Sequence, residues 1–183
     1  MAPADTPSSP RSKRLTALLA RAPRLALWAA LGAGTLGLAA TSQFARDHAL
    51  MINASPSLPY WAIWLDRAGT PKRGDLIVFV PPRSALMIRH FGAKPVPFGK
   101  RVLGVVGDRV TEKDRMYSVN GKPVALAKPA SRLGEPLALG PTGKIPKGCY
   151  FVGAEHKDSF DSRYAAIGWI CQPQMLGIGS AVL

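Results

Sequence analysis

The segment 116–126, MYSVNGKPVAL, decides the fold, because it sets an Asn120-Gly121 pair between two stretches in which apolar and polar residues alternate. Both central residues of a two-residue hairpin turn need positive φ, which Asn and Gly adopt more readily than other residues. The segment therefore predicts two antiparallel strands joined by a tight turn.

Short apolar runs on both sides of this hairpin are bounded by turn residues, which is typical of further strands. These runs lie at 75–82, 101–110, 149–153 and 167–172. The chain contains 18 glycines and 17 prolines, and residues beyond the N-terminal segments show little helical periodicity. We therefore predict a mainly β fold, interrupted at about 127–147 by an irregular excursion that holds four prolines.

The N-terminal part of the chain changes composition abruptly. Residues 1–24 carry five basic side chains and one acid, and they predict a disordered basic leader in the cytoplasm. Residues 25–45 carry no ionisable side chain, and as a helix they would be about 31 Å long, close to the hydrocarbon thickness of a bilayer. They predict a transmembrane anchor, and the positive-inside rule places residues 46–183 on the outer side of the membrane.

A cleaved secretory signal is the alternative interpretation of the same apolar segment. Ala40 and Ser42 have the small side chains that a cleavage site requires. The uncleaved anchor is our expectation, and sequencing of the mature N-terminus distinguishes the two.

The charge of the chain restricts its partners. The net charge is +13, of which the leader accounts for +4, so the region after the anchor carries the remaining +9. Such a surface favours anionic partners, namely phospholipid head groups, nucleic acid or acidic proteins. The basic residues are scattered and no nucleic-acid motif is visible, so we expect membrane lipids as a partner and no nucleic acid.

Cys149 and Cys171 are the two cysteines of the chain, and each lies in a candidate strand. In an oxidising compartment they could form a disulfide that closes a loop of about 23 residues. Two buried thiols are the alternative, and the sequence leaves both open. Two cysteines lack the spacing of a zinc site, so we expect no metal.

Familiar enzyme motifs are absent from the sequence, which has no G-x-S-x-G elbow, H-E-x-x-H helix or P-loop. The three histidines are His48, His90, which we expect in a loop, and His156; none lies in the sequence context of a catalytic base. A serine in NASPSLP, 53–59, and a lysine in GKRVLGVVGD, 99–108, remain as candidates. A lysine can deprotonate a serine if burial lowers its pKa from about 10.4 towards neutrality.

Three blocks of sequence resemble the bacterial signal peptidase I family of serine-lysine proteases, in the same order and spacing. They are SPSLP at 55–59, KRVLGVVGD at 100–108 and GAEHKDSFDSRY at 153–164, and RGDLIVF at 73–79 resembles the Gly-Asp strand of that family. Within the family, the chain is most similar to the TraF-like peptidases of conjugative transfer. The resemblance implies a signal-peptidase-like antiparallel β fold behind one membrane helix.

The resemblance also assigns roles to residues. It makes Ser57 the nucleophile and Lys100 the general base. The backbone N–H of Ser57 and the hydroxyl of Ser55 become the two donors to the oxyanion. No cofactor is implied.

The late block, residues 153–164, supplies three supporting residues by the same resemblance. Ser159 matches the hydroxyl that orients the lysine amine. Asp161 and Arg163 match an ion pair that supports the site from behind.

These roles predict a serine endopeptidase anchored in the bacterial inner membrane, with its N-terminus in the cytoplasm. Its substrate would be a membrane-inserted precursor, and the TraF-like resemblance implies a conjugative pilin precursor, whose acyl-enzyme is resolved by water or, with cyclisation, by an amine. One alternative is a general leader peptidase that removes signal peptides from many exported proteins. A second is a non-catalytic assembly subunit of an envelope complex.

Overall fold

A computed structural model describes residues 10–52, 61–94 and 96–182 of the chain, with side chains from residue 25 onwards. The chain divides into two compact units, Met1–Arg46 and Asp47–Leu183. This division falls next to residue 46, the position at which we expected the second domain to begin.

The N-terminal unit contains one long helix, α1, Pro10–Asp47. Its part Leu25–Asp47 is long and apolar enough to cross a membrane, and none of the most apolar stretch is buried inside the protein. The helix begins at Pro10, inside the leader for which we predicted disorder. Proline is favoured at the first position of a helix, and the Leu, Ala and Arg residues that follow it are good helix formers.

The described residues of the second unit form eleven strands whose pairings are antiparallel, which confirms the predicted mainly β class. The strands are β1 His48–Ile52, β2 Ala62–Asp66, β3 Leu76–Phe79, β4 Phe98–Gly104, β5 Arg109–Lys113, β6 Met116–Val119, β7 Lys122–Leu126, β8 Gly143–Lys144, β9 Cys149–Gly153, β10 Ile170–Cys171 and β11 Met175–Val182. Seven strands form a large sheet in the order β1-β2-β11-β3-β4-β9-β10, and four form a small sheet in the order β7-β6-β5-β8.

The predicted hairpin is formed by β6 and β7 and is confirmed. Asn120 has φ of 50° and Gly121 has φ of 79°, as the two-residue turn requires. Val119 pairs with Lys122 across the turn, and this register turns Val119 and Tyr117 into the core while the intervening Ser118 is only half-buried.

One hydrophobic cluster is shared by the two sheets. The ring of Tyr117 on β6 stacks on the ring of Phe151 on β9 with 5.5 Å between their centroids, and both side chains are fully buried. All five residues of β9 are buried, because the strand lies between β4 and β10 and is covered on both faces. A strand of this kind reads as a continuous apolar run, which is why CYFVG was visible in the sequence.

Several elements were not predicted from the sequence, namely β1, β2, β11 and a short helix α2, Ala85–Phe91. Strand β11 pairs with both β2 and β3, so the end of the chain lies inside the large sheet. Helix α2 begins at the N-cap Ser84, whose hydroxyl accepts a hydrogen bond from the Met87 N–H at 3.2 Å. His90, which we expected in a loop, lies on this helix.

The excursion at 127–147 contains the two-residue strand β8, and hydrogen bonds from Arg115 hold part of its backbone. The guanidinium of Arg115 donates to three of its carbonyl oxygens, those of Ala127 (3.0 Å), Lys128 (2.6 Å) and Leu137 (2.9 Å). Further along, Gly140 approaches the late block so closely that a Cβ there would lie 2.1 Å from the carbonyl oxygen of Ser162. The excursion is therefore packed against residues 153–164.

Cys149 and Cys171 form a disulfide in the structure. They face each other in register across the β9–β10 pair. Of the two states that the sequence left open, the structure has the bridged one. The covalent loop that it closes contains the whole of the late block.

Removal of this disulfide should destabilise the second unit. In the chain-entropy model, a loop of this length contributes about 3 kcal/mol to the free energy of unfolding. We expect the Cys149→Ser, Cys171→Ser double variant to unfold at a lower urea concentration, with a free energy of unfolding that is smaller by about that amount. Unfolding is measured on the full chain in detergent by intrinsic tryptophan fluorescence.

Reductant provides the matched control for this measurement. Dithiothreitol should destabilise the wild-type chain and leave the double variant unchanged. Equal urea midpoints for the oxidised wild type and the double variant would contradict the prediction.

Candidate active site

Lys100 lies in the middle of the large sheet, on β4 between β3 and β9. Buried and half-buried side chains alternate along β4, and Lys100 shares the buried face with Phe98 and Val102. It pairs in register with Ile77 on β3, and only 4% of its surface is exposed. The alternation of the strand therefore holds a lysine where an apolar residue would be usual.

Burial lowers the pKa of the Lys100 amine from 10.5 to about 8. Two further charges act on it, since the carboxylate of Asp161 raises the pKa and the guanidinium of Arg163 lowers it. Loss of water is the dominant effect, because a buried ammonium group gives up more solvation than its neighbours restore. A substantial fraction of this amine is therefore neutral near physiological pH.

Ser159 is buried, with 3% of its surface exposed. Within the described part of the chain, its hydroxyl oxygen makes no hydrogen bond. A buried polar group without a partner costs roughly 1–3 kcal/mol, so its persistence calls for an explanation. Ser159 and Lys100 line the same cavity, which is the place where a hydroxyl could orient the amine.

Asp161 and Arg163 form a fully buried ion pair behind this cavity. Arg163 Nε donates to Asp161 Oδ1 at 2.7 Å, and Nη2 donates to Oδ2 at 2.6 Å. The side chains are 0% and 3% exposed, respectively. Burial alone would lower the pKa of Arg163, but the hydrogen bonds and charge of Asp161 raise it above its ordinary value.

The same guanidinium also fixes the backbone around the site. Arg163 Nη1 donates to the carbonyl of Leu126 at 2.8 Å, and Nη2 donates to the carbonyl of Ser159 at 3.3 Å. The backbone N–H of Ala154 donates to Asp161 Oδ2 at 3.3 Å. Removal of either ionic partner would leave an uncompensated buried charge, and both partners are hydrogen-bonded to the backbone of the late block.

Ser55 and Ser57 lie outside the described residues, in the connection 53–60 between β1 and β2. The residues at one end of this connection, Met51 and Ile52, line the same cavity as Lys100. The chain therefore enters this connection at the edge of the cavity.

The cavity has a volume of about 500 Å³, which is within the range of small-ligand sites. Apolar side chains from β4, α2 and the late block line it, among them Phe98, Phe91 and Phe160. Three charged side chains from the excursion and the late block also line it, and we call them the charged wall: Lys128, Arg132 and Asp158.

Two ion-pair clusters, one on this charged wall and one next to it, were not predicted. Asp158 accepts hydrogen bonds from Lys128 Nζ and, through Oδ2, from Arg132 Nε (3.1 Å) and Nη2 (2.9 Å). Glu135 pairs with His90 Nε2 at 2.6 Å and with Arg89 at 2.7 Å. The partners are far apart in sequence, and the only signal for them was the abundance of basic residues in the excursion.

Among the residues that the structure describes, no group of three or more His, Cys, Asp or Glu side chains is arranged to hold a metal ion. The chemistry that the described residues can offer is acid–base chemistry. A buried amine with a lowered pKa and a buried hydroxyl line one cavity, and the two charges of a buried ion pair act on the amine.

Comparison with known proteins places these residues in a family. The sequence model of the family "Signal peptidase, peptidase S26" matches residues 24–183. The chain is 32% identical over 123 residues to Signal peptidase I T of Bacillus subtilis (strain 168), which covers 62% of this chain and 58% of that protein. It is 30% identical over 126 residues to Signal peptidase I V of the same organism, which covers 61% of this chain and 66% of that protein.

A crystal structure of a signal peptidase I from Enterococcus faecalis V583 is 25% identical and covers 60% of this chain and 97% of that one, with a TM-score of 0.38. The chain matches 58% of the length of Signal peptidase I T, which is less than two thirds of that protein. The family model covers both the helix Leu25–Asp47 and the whole second unit. On that match, the chain belongs to the signal peptidase, peptidase S26 family.

Proposed function

We propose that this protein is a membrane-anchored serine endopeptidase in which Lys100 is the general base and Ser57 is the nucleophile. The observation that carries the proposal is the burial of the Lys100 amine, whose pKa falls to about 8. A serine hydroxyl needs a neutral base within reach, and an amine in this state can act as one.

In the first step, Ser57 Oγ attacks the scissile carbonyl carbon while its proton passes to the neutral amine of Lys100. A tetrahedral intermediate forms, and its oxyanion accepts hydrogen bonds from the Ser57 backbone N–H and the Ser55 hydroxyl. Each such donor contributes roughly 3–4 kcal/mol to the stability of the transition state. The proposed roles of Ser55 and Ser57 rest on the SPSLP block.

In the second step, the intermediate collapses, the C–N bond breaks, and the ammonium of Lys100 gives its proton to the leaving amine. Lys100 is then neutral again and can deprotonate the nucleophile that resolves the acyl-enzyme. The buried hydroxyl of Ser159, which lacks a partner within the described residues, supports a role in holding the amine towards Ser57.

The apolar helix Leu25–Asp47 supports a membrane anchor. Ser57 follows the helix by only about ten residues, which at the reach of an extended chain is a short tether. We therefore place the site close to a membrane surface, where an inserted precursor presents its cleavage point. The basic residues before the helix favour a cytoplasmic N-terminus and a periplasmic site at the inner membrane.

The finer proposal concerns the substrate. The serine-leucine-proline form at 57–59 is similar to that of TraF-like peptidases, and we propose a pilin precursor of a conjugative transfer system. The relatives that the chain matches are signal peptidases I, which favours a general leader peptidase as the second candidate. A non-catalytic assembly subunit is the third, and retention of Ser57, Lys100 and Ser159 argues against it.

The first of three predictions from the proposed function tests the two catalytic roles. Ser57→Ala and Lys100→Ala should each abolish processing of a precursor in detergent or liposomes, because one removes the nucleophile and the other removes the base. Loss of precursor and gain of product are measured on gels. Full activity in either variant would refute the assigned role.

Lys144→Ala is the matched control, since Lys144 is an exposed lysine on β8. It should process the precursor at the wild-type rate. Thermal unfolding of all three variants establishes that they are folded, and a serine-reactive acylating probe should label the wild type and not Ser57→Ala. Absence of labelling in the wild type would favour the non-catalytic alternative.

The second prediction concerns pH. Below its pKa the amine of Lys100 is protonated and cannot accept the serine proton, so kcat/KM should fall about tenfold for each pH unit below about 8 and level off above it. The profile is measured with a short peptide substrate at constant ionic strength. A profile that is flat down to pH 6, or that still rises above pH 10, would contradict Lys100 as the base.

The third prediction separates the substrate proposals. Purified full chain is incubated with a pilin precursor and, in parallel, with unrelated precursors that carry signal peptides, and the products are weighed by mass spectrometry. A pilin-specific enzyme should process only the pilin, and a product lighter than the hydrolysed one by one water identifies a cyclic product. Equal processing of the unrelated precursors would favour the general leader peptidase.

A further inference from the structure

The cavity beside Lys100 is larger than small side chains at a cleavage point would need. Its volume is about 500 Å³, and it continues from Lys100 and Ser159 to Lys128 and Arg132 on the excursion. A cavity of this size has room for more than one small side chain. It therefore has space near the charged wall for a group other than the small residues next to a scissile bond.

The charged wall has more positive than negative groups. Lys128 and Arg132 share the single carboxylate of Asp158. Hydrogen bonds from Lys128 and Arg132 lower the pKa of Asp158 to about 2, so that the carboxylate stays ionised at any working pH. Two cations on one anion leave this cluster with a charge of about +1.

The other carboxylate near this wall does not neutralise the excess. Glu135 is engaged by His90 at 2.6 Å and by Arg89 at 2.7 Å. Among the described residues that line the cavity, Asp158 is the only acid. An anionic group that enters the cavity would therefore meet a field of the opposite sign.

Arg132 is the member of the cluster best placed to bind such a group. Its side chain is 71% exposed and yet oriented, because Nε and Nη2 both donate to Asp158 Oδ2. A guanidinium has five N–H groups, and within the described part of the chain the hydrogen bonds to Asp158 use two of them. The remaining donors form a fork that matches a carboxylate.

We propose that Arg132, oriented by Asp158, is a specificity-determining residue that binds an acidic side chain of the precursor close to its cleavage point. This inference rests on the proposed peptidase function. It adds to that function a substrate class, namely precursors with Asp or Glu near the scissile bond.

The experiment uses the full chain in detergent and a set of peptides that share one cleavable sequence. Glu or Gln is placed at each flanking position in turn, and both peptide ends are blocked so that the side chain is the only variable. At one position, kcat/KM for the Glu peptide should exceed that for the Gln peptide by about tenfold, as expected for a charge-assisted hydrogen bond.

Variants of Arg132 identify the group responsible for this preference. Arg132→Gln should bring the Glu-to-Gln ratio close to one, and Arg132→Glu should bring it below one. A merely structural role of Arg132 would change all peptides alike and leave the ratio unaltered. Arg109→Gln is the matched control, since Arg109 is an exposed arginine on β5 away from the cavity, and it should keep the wild-type ratio.

Binding to Ser57→Ala separates this inference from the proposed function. Fluorescence anisotropy of labelled Glu and Gln peptides reports recognition without cleavage. If wild type cleaves both peptides equally at every position, the inference is overturned and the peptidase function stands. If no peptide is cleaved, the peptidase function fails, and the anisotropy decides the inference: tighter binding of the Glu peptide supports carboxylate recognition by Arg132, and equal binding overturns it.

Discussion

Dehydration of one amine is the constraint on which the rest of this structure depends. Lys100 occupies a core-facing position of a central strand, where the sheet gains nothing from a charged group. Holding it there costs stability, because its ammonium form loses solvation, and the cost is what lowers the pKa. The surrounding fold must therefore be stable enough to retain a residue that destabilises it.

The Asp161–Arg163 pair resolves a conflict in this arrangement. A carboxylate close to Lys100 favours the ammonium form and would undo the effect of burial, and Asp161 does act in that direction. Arg163 binds that carboxylate with two hydrogen bonds and acts on Lys100 in the opposite direction. The pair therefore supplies rigidity to the late block while adding little net charge beside the amine.

The parts of the fold that could be predicted are those fixed by local chemistry. The Asn120-Gly121 turn determines its own hairpin, and β9 is apolar throughout because both its faces are covered. Strand β11 was missed because its pairing partners, β2 and β3, lie about a hundred residues away and its glycines suggest a turn. Helix α2 has seven residues, too few for a helical period to be distinguished.

In the candidate site, too, the residues that could be predicted are those whose signal is local in the sequence. Lys100 and the late block were visible as short motifs, since each lies within a few consecutive residues, and the sequence could place Lys100 on a packed strand. The cluster of Lys128, Arg132 and Asp158 could not be seen, because it joins segments that only the folding of the excursion onto the late block brings together. Charge composition indicated cations there, but not what they contact.

The Cys149–Cys171 bridge has a consequence for how the late block would withstand cleavage of its backbone. Every residue of the late block lies between the two half-cystines, so the block belongs to a covalent ring. The disulfide closes this ring where β9 and β10 pair. A stray nick anywhere in that ring would leave both fragments attached to each other and to the sheet. Damage of this kind would shift the local backbone without releasing the segment that carries Ser159.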